Sequence, residues 1–181
     1  MLQFSLLTAF VLFANTAIAA ADPLIDAVRA IESGRHAQAV QMLTPLANAG
    51  NSLAQYRLGT LYYQGNGVPE DEKQAVFWWK KAAAQGYTEA MFQLGSAFLF
   101  GSQAAKIVPD PDREAAMWYF QAASAGHAEA QYHLGLLFLA GKGVIDSRQE
   151  AARWMRKAAE QGHPEAKKAL KSIESTGQGH R

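Results

Sequence analysis

Histidine has the widest chemical repertoire of any side chain in this sequence, and the chain of 181 residues holds five. His127 and His133 are six apart, which misses the i, i+4 spacing that places two metal ligands on one helical face. His127 and His163 fall on one position of an internal repeat, where Tyr87 stands in an earlier copy, so their spacing points to a surface or inter-repeat packing role. Ser102 and Lys106 are four apart and miss the S-x-x-K of penicillin-recognising enzymes by one residue. Gly101 to Lys106 lacks the second glycine and the following Ser or Thr of a phosphate loop. Glu114, Glu129 and Glu150 are scattered over helix faces and form no catalytic pair. There is no cysteine, which excludes disulfides, thiolate zinc sites, a cysteine nucleophile and a lipid-modified cysteine together. The sequence therefore assigns no catalytic residue, no metal and no cofactor, and the chain reads as a non-enzyme.

Composition narrows the class further. Apolar residues make up 49% and charged residues 18%, as in an ordinary globular protein. A net charge of +1 gives no electrostatic basis for binding nucleic acid or an anionic membrane. The chain opens with Met1 to Ala20, which carries no charged side chain, and Leu2 to Phe13 is almost wholly apolar. Small residues follow, Ala17-Ile18-Ala19-Ala20-Ala21, ahead of Asp22 and Pro23. An apolar core and an A-x-A site describe a secretory signal peptide cleaved near Ala19 to Ala21, although no Lys or Arg stands near Met1. A retained anchor would need ~20 apolar residues, and Gln3, Ser5, Thr8, Asn15 and Thr16 dilute this run. The expectation is export to the periplasm or beyond, with no stable membrane insertion after cleavage.

The elements that would position any site come from repetition. Leu53 to Gly86 returns, edited, from Glu89 to Gly126 and from Glu129 to Gly162. Ala54, Ala90 and Ala130 correspond, as do Leu58-Gly59, Leu94-Gly95 and Leu134-Gly135. Gly65, Gly101 and Gly141 follow, then Val68, Val108 and Val144. Ala75, Ala115 and Ala151 come next, with Trp78, Trp118 and Trp154 three residues on. Each copy closes with an alanine pair and a glycine. The middle copy carries a four-residue insertion between Gly101 and Val108, in a loop where added length costs little. Each copy reads as helix, loop, helix, with Asp71, Asp110 or Asp112, and Ser147 placed to cap the second helix.

Glycine inside a helix costs about 1 kcal/mol relative to alanine. Gly59, Gly95 and Gly135 take that cost three times, which implies close approach by a neighbouring helix. Trp78, Trp118 and Trp154 are expected to fill the wedge between helices as stacking residues. The predicted organisation is a signal peptide over residues 1–20 and a degenerate capping hairpin over 22–50, with Pro45 near the end of its second helix. Full repeats follow over 51–87, 88–127 and 128–163, then a capping helix over 164–174 and a frayed tail over 175–181.

The order A-x-x-x-L-G-x-x-[YF], G-x-G-V, A-x-x-W and A-A-x-x-G resembles the Sel1-like repeat, a relative of the tetratricopeptide repeat, from Ser52 to Gly162. The middle copy departs by losing the G-x-G. The resemblance implies an all-α fold: a right-handed superhelical solenoid of antiparallel helix pairs. It also implies a protein-binding role, and it is closest in kind to exported bacterial members. A cysteine-rich branch of the family is associated with binding or cleaving β-lactams; without cysteines, that activity does not carry over.

What the copies do not share is where specificity would lie. Positions 53, 57, 60 and 64 and their counterparts fall on one face of the first helix. They read Leu53, Arg57, Thr60 and Gln64; Glu89, Gln93, Ser96 and Phe100; Glu129, His133, Leu136 and Ala140. The expected partner-binding stripe on the inner curve comprises Arg57, Thr60, Gln64, Gln93, Ser96, Phe100, His133 and Leu136, with Phe100 as apolar anchor for a partner peptide or helix. Two functions follow as alternatives: an exported scaffold or adaptor binding a protein of the cell envelope, or an envelope hydrolase acting on peptidoglycan or β-lactams in the same groove.

Overall fold

A computed structural model describes residues 22–177; the expected leader and the last four residues lie outside them. The described residues form nine α-helices and no strand. The first two, α1 (Pro23–Glu32) and α2 (His36–Asn48), make a hairpin. They are followed by α3 (Ser52–Gln64) with α4 (Glu72–Ala83), α5 (Thr88–Phe100) with α6 (Pro111–Ser124), and α7 (Ala128–Ala140) with α8 (Arg148–Glu160). The last, α9 (Pro164–Gly177), packs on α8. Each helix packs mainly on its chain neighbours, which is the construction of an α/α solenoid. None of the described helices is long and apolar enough to cross a membrane.

Helix starts follow from the capping residues. Asp71 Oδ1 accepts hydrogen bonds from the N–H groups of Lys73 and Gln74 at 2.9 and 3.0 Å. Asp110 accepts from Arg113 and Ser147 from Glu150. Pro45 does not break α2, which runs three residues beyond it to Asn48: the ring removes one donor late in the helix, where little helix remains to disrupt. At the far end α9 continues to Gly177, past the Glu174 end expected from sequence. Ile173 is buried, and Glu174 accepts from Arg156 on α8 at 2.9 Å, so α9 is held to α8 as far as residue 174.

The helix-internal glycines have a specific neighbour. A Cβ on Gly59 would lie 2.7 Å from the Trp79 indole, one on Gly95 2.7 Å from the Tyr119 ring, and one on Gly135 2.8 Å from Met155 Cγ. The wedge inside each helix pair is thus filled by Trp79, Tyr119 and Met155, each one residue after the repeated tryptophan. The reason is helical geometry. Trp79 faces Gly59 together with the Ala75 carbonyl, whereas Trp78, one residue earlier, stands about 100° round the helix from it and faces the preceding hairpin. Trp78 joins a buried cluster with Ala27, Ala30 and Leu43 of the preceding hairpin, and Trp154 joins Ala116 and Ala122 of α6. Trp118 is only partly buried, and its Nε1 donates to Glu114 at 3.0 Å.

The inserted loop is built, not slack. Gly65 and Gly141 close their helices in the left-handed region, at φ 65° and 63°, but Gly101 does not, at φ −74°. The insertion instead folds into a 3₁₀ helix, Ala104–Ile107. In the outer copies the second loop glycine presses on the start of the preceding second helix: Gly67 on the His36–Ala37 backbone and Gly143 on Asp112–Arg113. His36, Glu72 and Asp112 share one repeat position. In the middle copy the Glu72 carboxylate fills that role. It accepts from the N–H groups of Ser102, Gln103 and Ala104, at 3.2, 2.7 and 2.7 Å, and from the Ser102 hydroxyl at 3.3 Å. Burial alone would raise its pKa, but those donors outweigh it and hold the carboxyl below its ordinary value.

Candidate interaction surface

The face shared by α3, α5 and α7 carries the stripe named from sequence, and the structure divides it into two groups. Four residues stand toward solvent or make only local bonds. Phe100 is 68% exposed at the end of α5. Gln64 is exposed and accepts from Asn66 at 2.9 Å, and Thr60 donates back to the Tyr56 carbonyl on its own helix. Arg57 lies over the Tyr56 ring at 5.8 Å, with its Nε buried and without a hydrogen-bond partner. Gln93 is half-buried between the two groups.

The other three are drawn into the seams with neighbouring helices. Ser96 Oγ lies 3.0 Å from the Tyr119 hydroxyl. The fully buried phenol of Tyr119 has its pKa pushed up to about 12 by desolvation, opposed by that hydrogen bond. The imidazole of His133 stacks on the Tyr119 ring, centroids 5.2 Å apart and planes at 9°, and Phe100 meets its edge at 6.5 Å. Burial lowers the His133 pKa against the opposing pull of Glu129, and so favours the neutral ring. Leu136 packs beside Met155 and Ile173. These three support the solenoid and offer a partner only part of their surface.

A second set of residues lies along the same face and went unrecognised in the stripe. Tyr56, Phe92 and Tyr132 share a repeat position, and each meets the residue just before the next unit's first helix: Tyr56 with Tyr87 at 5.0 Å, Phe92 with His127 at 4.7 Å, Tyr132 with His163 at 4.6 Å. The signal was in the sequence, as two ring-bearing positions 31 to 35 residues apart in every copy. Glutamines make a second clasp. Gln55 donates to the Ala47 carbonyl and accepts from Gln85; Gln131 donates to the Ala123 carbonyl and accepts from Gln161. The middle copy has Met91 and Ala125 at these positions, so the glutamines come and go as a pair.

Glu129 bridges two imidazoles, with Oε1 3.4 Å from His133 Nε2 and Oε2 2.9 Å from His163 Nε2. That trio could suggest a cation site. However, His163 Nδ1 accepts the Ala166 N–H at 3.2 Å, which leaves the proton on Nε2, where it donates to Glu129. A nitrogen carrying that proton is no metal ligand. No group of three or more His, Cys, Asp or Glu suited to a metal ion occurs among the described residues. Away from this face, an apolar cleft of about 580 Å³ lies between the loops at Val108 and Val144, with Met117, Phe120 and Phe138 in its walls. Met117 and Phe120 are about half exposed there.

Stacked helix pairs, a face lined by unlike side chains and packing confined to chain neighbours define a helical-repeat solenoid of the kind that presents a binding surface. The Sel1 repeat model matches residues 52–87, 88–127 and 128–163, and the chain belongs to the Sel1 repeat family, whose members are in general protein-interaction scaffolds. Among solved structures it is similar to a Sel1 repeat protein from Oxalobacter formigenes, at 31% identity and a TM-score of 0.78 over 87% of this chain and 63% of that one. It is also similar to a protective antigen present in uropathogenic Escherichia coli strains that displays an SLR fold, at 40% identity and a TM-score of 0.62, covering 68% of this chain and 26% of that one. Helicobacter pylori cysteine rich protein B shares the fold at 21% identity, with a TM-score of 0.53 over 80% of this chain and 95% of that one. The chain thus spans less than two thirds of the length of the first two. No curated protein matches it.

Proposed function

We propose that this chain is an exported adaptor of the cell envelope that binds a protein or peptide partner along the face of α3, α5 and α7, the inner curve of its superhelix. The observation that carries the reading is Arg57. Its Nε is buried with no hydrogen-bond partner, and among the described residues no carboxylate stands within ion-pair distance of it. A partly buried guanidinium left unpaired is costly unless something else completes it. Phe100 stands bare farther along the same stripe. A partner that sets a carboxylate against Arg57 and an apolar side chain against Phe100 satisfies both, with Gln93 as a polar contact between them.

Envelope location rests on the leader-like run from Met1 to Ala20, and the likeness to a protective antigen fits an exported protein. The partner-binding residues are then Arg57, Thr60, Gln64, Gln93 and Phe100, with His133, Ser96 and Leu136 shaping the surface behind them. No observation favours the hydrolase alternative. The test is site-specific photocrosslinking in the intact envelope, with the reactive residue placed at position 93 or at position 117 on α6. Adducts of one discrete protein from position 93 and none from 117 support the reading; adducts from 117 alone contradict it.

A further inference from the structure

The four units begin their first helices with different residues at one repeat position: Asn51, Tyr87, His127 and His163. Asn51 Oδ1 accepts the Ala54 N–H at 2.9 Å, and Tyr87 provides no side-chain cap. His127 Nδ1 accepts the Ala130 N–H at 3.2 Å, as His163 Nδ1 does from Ala166. A backbone N–H can only donate, so a capping imidazole must be unprotonated at Nδ1. Asparagine does the same work with no proton to gain.

We propose that His127 is a proton-sensitive cap: the junction between the α5–α6 and α7–α8 pairs is closed while its imidazole is neutral and loosens when acid protonates Nδ1. Protonation replaces the acceptor with an N–H that points at the Ala130 N–H, and it sets a cation against the positive end of the α7 dipole. His127 also ties the two pairs together, because its ring stacks on Phe92 of α5 at an interplanar angle of 13°.

The groups around it pull in both directions. Burial opposes the charged form, while Glu89 on α5 and Glu129 on α7 favour it, and burial prevails, so the pKa lies below the ordinary imidazole value. The Phe92 face favours the cation modestly. Tyr119 on α6 is a neutral phenol. Burial favours the neutral ring of His133 on α7 too, and charge on His127 or on His163 at the start of α9 opposes charge on it. A folded pKa below the unfolded value means that the unfolded chain takes up the proton first. The cap's contribution is therefore complete above the ordinary imidazole pKa and is lost as pH falls through the folded one. His163 differs in having the Glu129 carboxylate at 2.9 Å from its Nε2; among the described residues His127 has no such bond.

The test is amide exchange of the full chain from about pH 7.5 to about pH 5, a window that brackets imidazole titration, with rates corrected for intrinsic pH dependence. Protection of the Ala130 amide is expected to fall about fivefold, the loss of one helix cap, while Ala54 beneath Asn51 holds. His127→Asn retains an acceptor and should abolish the fall. Equal falls in parent and variant, or no fall in the parent, overturn the proposal. Should the variant fail to fold, imidazole NMR of the parent decides: His127 and the Ala130 amide must titrate with one midpoint, and separate midpoints overturn it.

Discussion

The sign of a substitution at the repeated glycines is set by what sits opposite each one. Alanine gains about 1 kcal/mol of helix propensity over glycine, so Gly→Ala stabilises wherever space allows. At Gly95 the new Cβ meets three carbons of the Tyr119 ring within 2.9 Å. That ring is fully buried, hydrogen-bonded to Ser96 and stacked on His133, so it has no direction in which to yield. At Gly135 the Cβ meets the Ala151 carbonyl at 3.2 Å and Met155 Cγ at 2.8 Å; Met155 is buried, but it is unbranched and can adjust where a ring cannot. Gly95→Ala is expected to destabilise by about 1–3 kcal/mol and Gly135→Ala by much less, as measured by urea unfolding. Equal losses would show that the helix backbones, and not these side chains, set the spacing. The sequence disclosed that something crowds each glycine. It pointed to the repeated tryptophan because that residue type recurs, whereas the true neighbour recurs only as bulk: Trp79, Tyr119, Met155.

At the scale of elements, the three helix pairs were legible because helical period, glycine stops and Asp or Ser caps all agree along the chain. The inserted loop was not, because its anchor lies 30 residues away in what reads as a solvated first turn. Glu72 gives no local sign of its role; only its alignment with His36 and Asp112 marks the position that meets the loop. The stripe on α3, α5 and α7 was half legible for a similar reason. Helical period places Ser96, His133 and Leu136 on that face, but whether a face is open depends on the helices packed against it: Tyr119 of α6 meets Ser96 and His133, and Met155 of α8 and Ile173 of α9 lie beside Leu136. Glu72 yields a pH prediction. Its folded pKa is lowered, so its contribution is present above the ordinary carboxylate pKa of about 4.3 and is lost as pH falls through the folded value. Glu72→Gln should cost about 1–3 kcal/mol near neutrality and flatten the acid side of the stability profile between about pH 5 and about pH 3. A variant whose acid limb matches the parent's would remove the carboxylate from this role.

As a whole, the molecule is a line of units that each touch only their neighbours, so stability accumulates along the chain and the faces differ in what they leave unfinished. The outer cleft beside Phe120 is apolar and self-contained. Of the charges in its wall, Asp110 caps α6 and Glu114 bonds Trp118 and faces Lys80 at 3.8 Å, while Arg113 stands exposed to solvent. The α3–α5–α7 face instead leaves a guanidinium unpaired and a phenylalanine bare. Affinity capture from the native envelope separates the two faces, comparing the parent with Arg57→Ala/Phe100→Ala and with Met117→Ala/Phe120→Ala. All three are expected to keep the same helical circular dichroism, since none of the four residues is buried. One discrete partner is expected to be retained by the parent and by the cleft variant, and lost by the Arg57/Phe100 variant. Loss of that partner with the cleft variant alone would contradict this expectation and move the binding surface to α6.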